Sequence, residues 1–242
     1  MTAQITTQNI WGTWLKTLKG DLDDRLRGLN ILQQSYERRY INQFFSVEDD
    51  VGLPALSQEI SDRKIDLTRF CFNQLDLLVE APQEVFSEGF QLIHEALNSI
   101  GLADEDKQKL SEIYQSRVAR TITQLAETLD RGGRGTRVAL EQGLQDFVTE
   151  VREVKKLGVE ISWEAFADSI NDSVLGYLTL ARNDIMTRLH GKQDESSARG
   201  LLEEAKKIVA NLMELGVKFD EKVTHYLSDL DSLVAEKLGS KK

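Results

Sequence analysis

The 242 residues predict an all-α protein, an elongated antiparallel helical bundle of about eight helices arranged as four helix hairpins. Three observations carry that expectation. Only two prolines, Pro54 and Pro82, occur in the chain, too few for a sandwich of short strands and turns but suited to long helices. Apolar residues recur three and four apart over long stretches, the spacing of one helix face. The segment KKLGVEISWEAF, residues 155–166, is echoed by MELGVKFDEKV, residues 213–223, each joining a helix stop to a helix start. A single all-helical domain over residues 1–242 is the simplest division, because no linker is long enough to free its flanks. Residues 130–137 are its candidate hinge.

The first helix is predicted over residues 5–46. Its apolar seam runs through Leu15, Leu18, Leu22, Leu26, Leu29, Leu32, Tyr36 and Tyr40. A break is expected near Gly20 or Gly28, since glycine weakens a helix interior by about 1 kcal/mol. Within SYERRYINQFF, residues 35–45, Tyr36, Tyr40, Phe44 and Phe45 stand beside Arg38 and Arg39; their spacing reads as core, with the arginines reaching off its edge.

Gly52 is expected to stop that helix and Pro54 to open the second, over residues 54–80, where a missing N–H costs nothing. Cys71, the one cysteine, lies in the apolar run RFCFNQL and reads as core filler. A third helix, residues 82–99, should close at Gly101. The fourth, residues 104–131, has Asp104 as its cap and Glu105 and Asp106 placed favourably against the helix dipole.

The fifth helix, residues 136–157, carries the stripe Leu140, Leu144, Phe147, Val151 and Val154. Gly158 should end it in the left-handed conformation, with Val159 folding back on the last turn. Ser162 is then the expected N-cap of the sixth helix, residues 162–190, and Ile161 is placed to clasp Phe166 as a hydrophobic staple. Leu215, Gly216, Val217 and Asp220 repeat the plan between the seventh helix, residues 197–215, and the eighth, residues 220–238.

The formal net charge of -10 sets the chain against polyphosphate and anionic membranes, so nucleic acid is not an expected partner. MTAQITTQNIWGTW at the amino terminus lacks the basic-then-apolar order of a secretion signal. No stretch approaches about 18 uninterrupted apolar residues, and a cytoplasmic location is the expectation.

Two candidate sites follow from local residues. In DRGGRGTR, Arg131, Arg134 and Arg137 alternate with glycines and Thr136 opens a helix; guanidinium groups and exposed N–H groups there suit a phosphate or carboxylate. On the first helix, Trp11, Trp14, Leu18 and Leu22 offer large apolar anchors of the kind interfaces favour. No catalytic constellation, cofactor motif or metal motif is recognised. His94, His190 and His225 are the only histidines, and Glu221, His225 and Asp229 share a helix face at salt-bridging spacing.

NDIMTRLHG, residues 183–191, resembles the start of the Asn-Asp-x-x-Ser/Thr magnesium motif of terpene cyclases, with Asp49 and Asp50 upstream. Gly191 stands where that motif ends in a glutamate, and Leu53 where the aspartate-rich motif has its third acid. The resemblance therefore lacks ligands for a magnesium clamp on diphosphate.

The functional expectation is a non-enzymatic cytoplasmic bundle acting as an adaptor, scaffold or regulatory subunit, docking a protein partner or a second copy. An amphipathic bundle on a lipid or granule surface is the alternative, and a helical enzyme or phosphate-ligand binder the third.

Overall fold

In a computed structural model, the described residues are 2–45, 50–133, 135–190 and 195–239, without the side chains of 2–9, 190, 238 and 239. Among them are eight α-helices, one short 3-10 turn and no strand. The all-α expectation holds. The helices are α1 (Thr2–Phe44), α2 (Leu53–Leu78), α3 (Gln83–Ile100), α4 (Asp104–Arg131), α5 (Thr136–Lys156), α6 (Ala167–His190), α7 (Glu195–Glu214) and α8 (Glu221–Gly239). The chain divides into two compact units, Met1–Ile113 and Tyr114–Lys242, with the boundary inside α4.

In the first unit α1, α2 and α3 pack on one another. Leu15, Leu18, Leu22 and Leu29 of α1 are buried, as are Leu67, Cys71, Leu75 and Leu78 of α2 and Phe86, Phe90, Ile93 and Leu97 of α3. The expected break at Gly20 or Gly28 is absent, and α1 runs through both. Burial of four leucines along this stretch, each contributing about 1.5–3 kcal/mol, outweighs the helix penalty of the two glycines. Gly52 also departs from its expected role. Its φ of -84° is ordinary right-handed helix, and it serves as N-cap of α2 with Pro54 in the first turn, while the Asp50 carboxylate accepts its N–H at 2.9 Å.

Helix lengths decide where this unit has a core. At 1.5 Å per residue, α1 spans about 64 Å, α2 about 39 Å and α3 only about 27 Å. After Leu29 on α1, and between Leu53 and Leu67 on α2, no described residue is buried. The α1–α2 hairpin therefore extends as two helices beyond the stretch in which buried residues line all three.

In the second unit α6 packs on α5, α7 and α8, and its stripe Ile170, Val174, Tyr177, Ala181 and Ile185 is buried throughout. Gly158 and Gly216 take the expected left-handed conformation, at φ 79° and 97°. Val159 and Val217 are buried behind them, and the Val217 N–H reaches the Leu212 carbonyl at 3.0 Å, closing a Schellman turn. Asp220 caps α8 as expected, its carboxylate accepting the Val223 N–H at 3.0 Å.

Ser162 does not cap α6. The chain winds through a 3-10 turn, Glu164–Phe166, before α6 begins at Ala167, because the indole of neighbouring Trp163 is committed to the Leu215 carbonyl. Nor does Asp104 cap α4: it is the first helical residue, the Ala103 carbonyl accepts the first bonds, and its carboxylate pairs with Lys107 at 2.8 Å.

Candidate functional site

The inner face of α1 is spent on packing. Leu18 and Leu22, two of the residues expected at a docking surface, are buried inside the first unit. Trp11 and Trp14 are half-buried and meet edge to face, with ring centroids 5.7 Å apart. Ile10 and Ile31 are exposed along the helix, and further exposed apolar residues gather at its opposite end. Phe44 is 72% exposed, Phe45 87% and Ile41 56%, and Val51 just beyond is 91% exposed. Tyr36 stacks on Tyr40, and Tyr40 meets Phe44 edge to face at 5.1 Å. The core expected of residues 35–45 is thus not formed at Tyr40, Phe44 and Phe45, because these residues lie on the hairpin beyond the buried core.

Nearer the middle of α1, α1 and α2 enclose an open groove of about 570 Å³, with buried Leu29 and Leu67 among its lining. Asp21 and Asp24 of α1 and Glu59 and Asp66 of α2 line it, against Arg25 and Arg63. Arg25 turns over the Phe70 ring, 4.3 Å from its centroid, and Arg63 lies 4.0 Å from Glu59. The groove is consequently acidic over an apolar base. Gly28 lines it too, and a Cβ built there meets nothing within 4 Å.

The Arg-Gly loop is arranged differently. Arg137 donates to Asp184 at 2.7 Å and also to Glu141. Burial opposes its charge, but the bond to Asp184 and the attraction of Glu141 outweigh that and hold it above the ordinary arginine range. Arg131 pairs with Glu127 at 3.1 Å. The Thr136 hydroxyl donates to the Gly133 carbonyl at 3.0 Å, and Arg134 lies outside the described residues. An anion arriving here must compete with carboxylates of the chain itself.

Asp184, the aspartate of the terpene-cyclase-like segment, is held by the same Arg137, while Asp49 and Gly191 lie outside the described residues. His225 sits 3.4 Å from Asp229 on an exposed face. Among the described residues no group of three or more His, Cys, Asp or Glu side chains could hold a metal ion.

A second concavity, of about 330 Å³, lies where the two repeated turns meet, between Ile161, Trp163 and Val217. The Leu215 carbonyl there accepts both the Trp163 indole N–H at 3.0 Å and the Lys155 ammonium at 3.1 Å. Its polar groups serve to join the two turns.

Of these features, the exposed apolar end of the α1–α2 hairpin is not accounted for by packing within the first unit. Periodicity along the inner seam hid it, because the outer face is mostly polar; the available signal was Ile31, Arg38 and Phe45 recurring every seven residues. No protein family, curated protein or solved structure matches the chain.

Proposed function

We propose that this chain is a protein-interaction module, an adaptor or scaffold of the cytoplasm, and that the outer face of the α1–α2 hairpin is its docking surface. The observation that carries the reading is Phe44, Phe45, Ile41 and Val51, all exposed at the end of a hairpin where, beyond Leu29 and Leu67, Leu53 alone of the described residues of α1 and α2 is buried. Keeping such a cluster in water forgoes about 1.5–3 kcal/mol per side chain, and an exposed apolar patch rimmed by charge marks interaction surfaces. Support also comes from the chemistry found elsewhere: Arg131 and Arg137 of the glycine-rich loop are engaged by carboxylates.

The test compares tagged parent with the Phe44→Ser, Phe45→Ser variant, both purified gently from the native host and matched for helicity by circular dichroism. A stoichiometric protein chain, this one or another, that accompanies the parent and is lost from the variant supports the reading. Identical companions for both rule it out. Flotation of the parent with liposomes, abolished in the variant, would transfer the same surface to the lipid reading; among the described residues no helix is long and apolar enough to cross a membrane.

A further inference from the structure

Along the outer face of α1, Asp24, Ile31, Arg38 and Phe45 recur every seven residues, with Gly28, Ser35 and Asn42 between them. This alternation of three and four is the spacing of a seam at which one helix lies along another. All of these residues are exposed except Ser35, which is half-buried. We infer that the seam is filled by a second copy of this chain, its α1 laid antiparallel on the first with a two-fold axis at Ile31. The inference rests on the docking reading above and names its occupant.

The charge pattern selects that partner and that direction. Asp24 and Arg38 stand seven residues either side of Ile31, about 10.5 Å along the helix, and carry opposite charges. A two-fold axis at Ile31 makes position 24 of one copy meet position 38 of the other, so the Asp24–Arg38 pair forms twice, once at each side of the axis, as a self-complementary interface requires. Arg38 then approaches a groove whose other acids include Asp21 and Asp66. A parallel arrangement sets Asp24 on Asp24 and Arg38 on Arg38, and like charges in register repel. The interaction of Asp24 with Arg27, at 3.6 Å, is loose and exposed.

Size follows the same symmetry. Phe45 and Thr17 both lie fourteen residues from Ile31, and Asn42 and Gly20 both lie eleven away. Phe45 therefore falls on Thr17 and Asn42 on Gly20, a larger residue on a smaller one in each pair. A Cβ added at Gly20 or Gly28 meets nothing within 4 Å, so the helix is open for close approach at both. The hydroxyls of Thr17 and Ser35 donate back to the Thr13 and Ile31 carbonyls, which leaves no hydroxyl proton to be stranded in a dry interface. Since each copy carries a net charge of -10, copies repel at a distance, and association needs such a local match.

Sedimentation equilibrium of the full chain tests the inference. Parent protein is expected to dimerise across the micromolar range. Asp24→Arg or Arg38→Asp alone should weaken the dimer about tenfold or more, and the two together on one chain should restore it, because the charges are merely exchanged across the axis. Ile31→Cys, lying on the axis, should oxidise to a covalent dimer, with Cys71 too buried to interfere. A parent monomeric throughout that range, or a double exchange that fails to restore the dimer, overturns the inference. If a monomeric parent nevertheless loses a different protein on Phe44→Ser, Phe45→Ser substitution, the docking reading stands and only its occupant was wrong. If neither association exists, both fall.

Discussion

The indole N–H of Trp163 donates to the Leu215 carbonyl across 3.0 Å, and with it the α5–α6 turn is fastened to the α7–α8 turn. The repeated Leu-Gly-Val segments thus meet in space at one site. Lys155, four residues after Val151 in the last turn of α5, donates to the same carbonyl, and Asn171 of α6 accepts the N–H of Asp220, the residue that caps α8. Each turn helps to fix the other.

That arrangement separates two otherwise alike glycines. Both Gly158 and Gly216 have positive φ, so alanine at either costs about 1–2 kcal/mol in backbone strain. A Cβ on Gly158 meets nothing within 4 Å, whereas one on Gly216 falls 3.2 Å from the Trp163 Nε1. Gly216→Ala should therefore lower the urea midpoint more than Gly158→Ala, and Trp163→Phe should cost about 1 kcal/mol for the lost hydrogen bond. Equal losses for the two glycines would mean that the indole yields freely.

Arg117 and Glu150 make an ion pair in which both side chains are nearly excluded from water, at 5% and 1% exposure. The guanidinium donates to both carboxylate oxygens, at 3.3 and 3.1 Å. Removing one partner leaves the other charge buried without it, so Glu150→Leu should cost about 3–5 kcal/mol, while Arg117→Met with Glu150→Leu should be close to neutral. Additive losses in this double-mutant cycle would contradict the account. Burial, only partly offset by Arg117, holds the Glu150 carboxyl above the ordinary glutamate range. Its contribution to stability is present below that ordinary range and fades as pH rises through the raised value; the double variant should lack this part of the pH dependence.

The same accounting distinguishes the two faces of α1. Leu18 is 2% exposed and Phe45 87%. Leu18→Ala should destabilise the first unit by about 2–5 kcal/mol, whereas Phe45→Ser should change monomer stability by less than about 0.5 kcal/mol. Deleting residues 1–30 removes Leu15, Leu18, Leu22 and Leu29 from the core, so that truncation should unfold the unit instead of reporting on docking. Urea denaturation of the three variants, followed by far-ultraviolet circular dichroism, checks the order; a stable truncated chain would contradict it.

All eight helices were legible in the sequence because each buries a stripe at helical spacing, as Ile170 through Ile185 do, and because Gly101, Gly158 and Gly216 stop helices by local conformation. Ser162 misled because a cap depends on more than the residue at the cap position: Trp163 is drawn to a carbonyl fifty-two residues away, which no local pattern encodes. Tyr40 and Phe44 misled for a different reason. Periodicity tells which residues share a face, but whether that face is covered depends on the reach of the neighbouring helices. The candidate surface stayed hidden because Ile41, Phe44 and Phe45 look like the continuation of a buried stripe until their exposure is known.

Cys71 offers an independent measure of the first unit. It is fully buried in α2, and burial pushes its thiol up to about 12, with Arg25 only partly opposing. At pH 8 the folded protein should hold only about one thiolate in ten thousand molecules, and the reagent cannot reach it. Modification by a disulfide reagent should therefore proceed through opening of the unit and remain slow in the parent. Leu18→Ala should accelerate it about tenfold for each 1.4 kcal/mol of stability lost, provided reclosing is fast relative to labelling. Phe45→Ser should leave the labelling rate of the monomer unchanged. A parent whose thiol reacts as fast as a free cysteine would show that α2 does not enclose it, and would remove the basis for assigning Leu18 and Leu22 to a closed core.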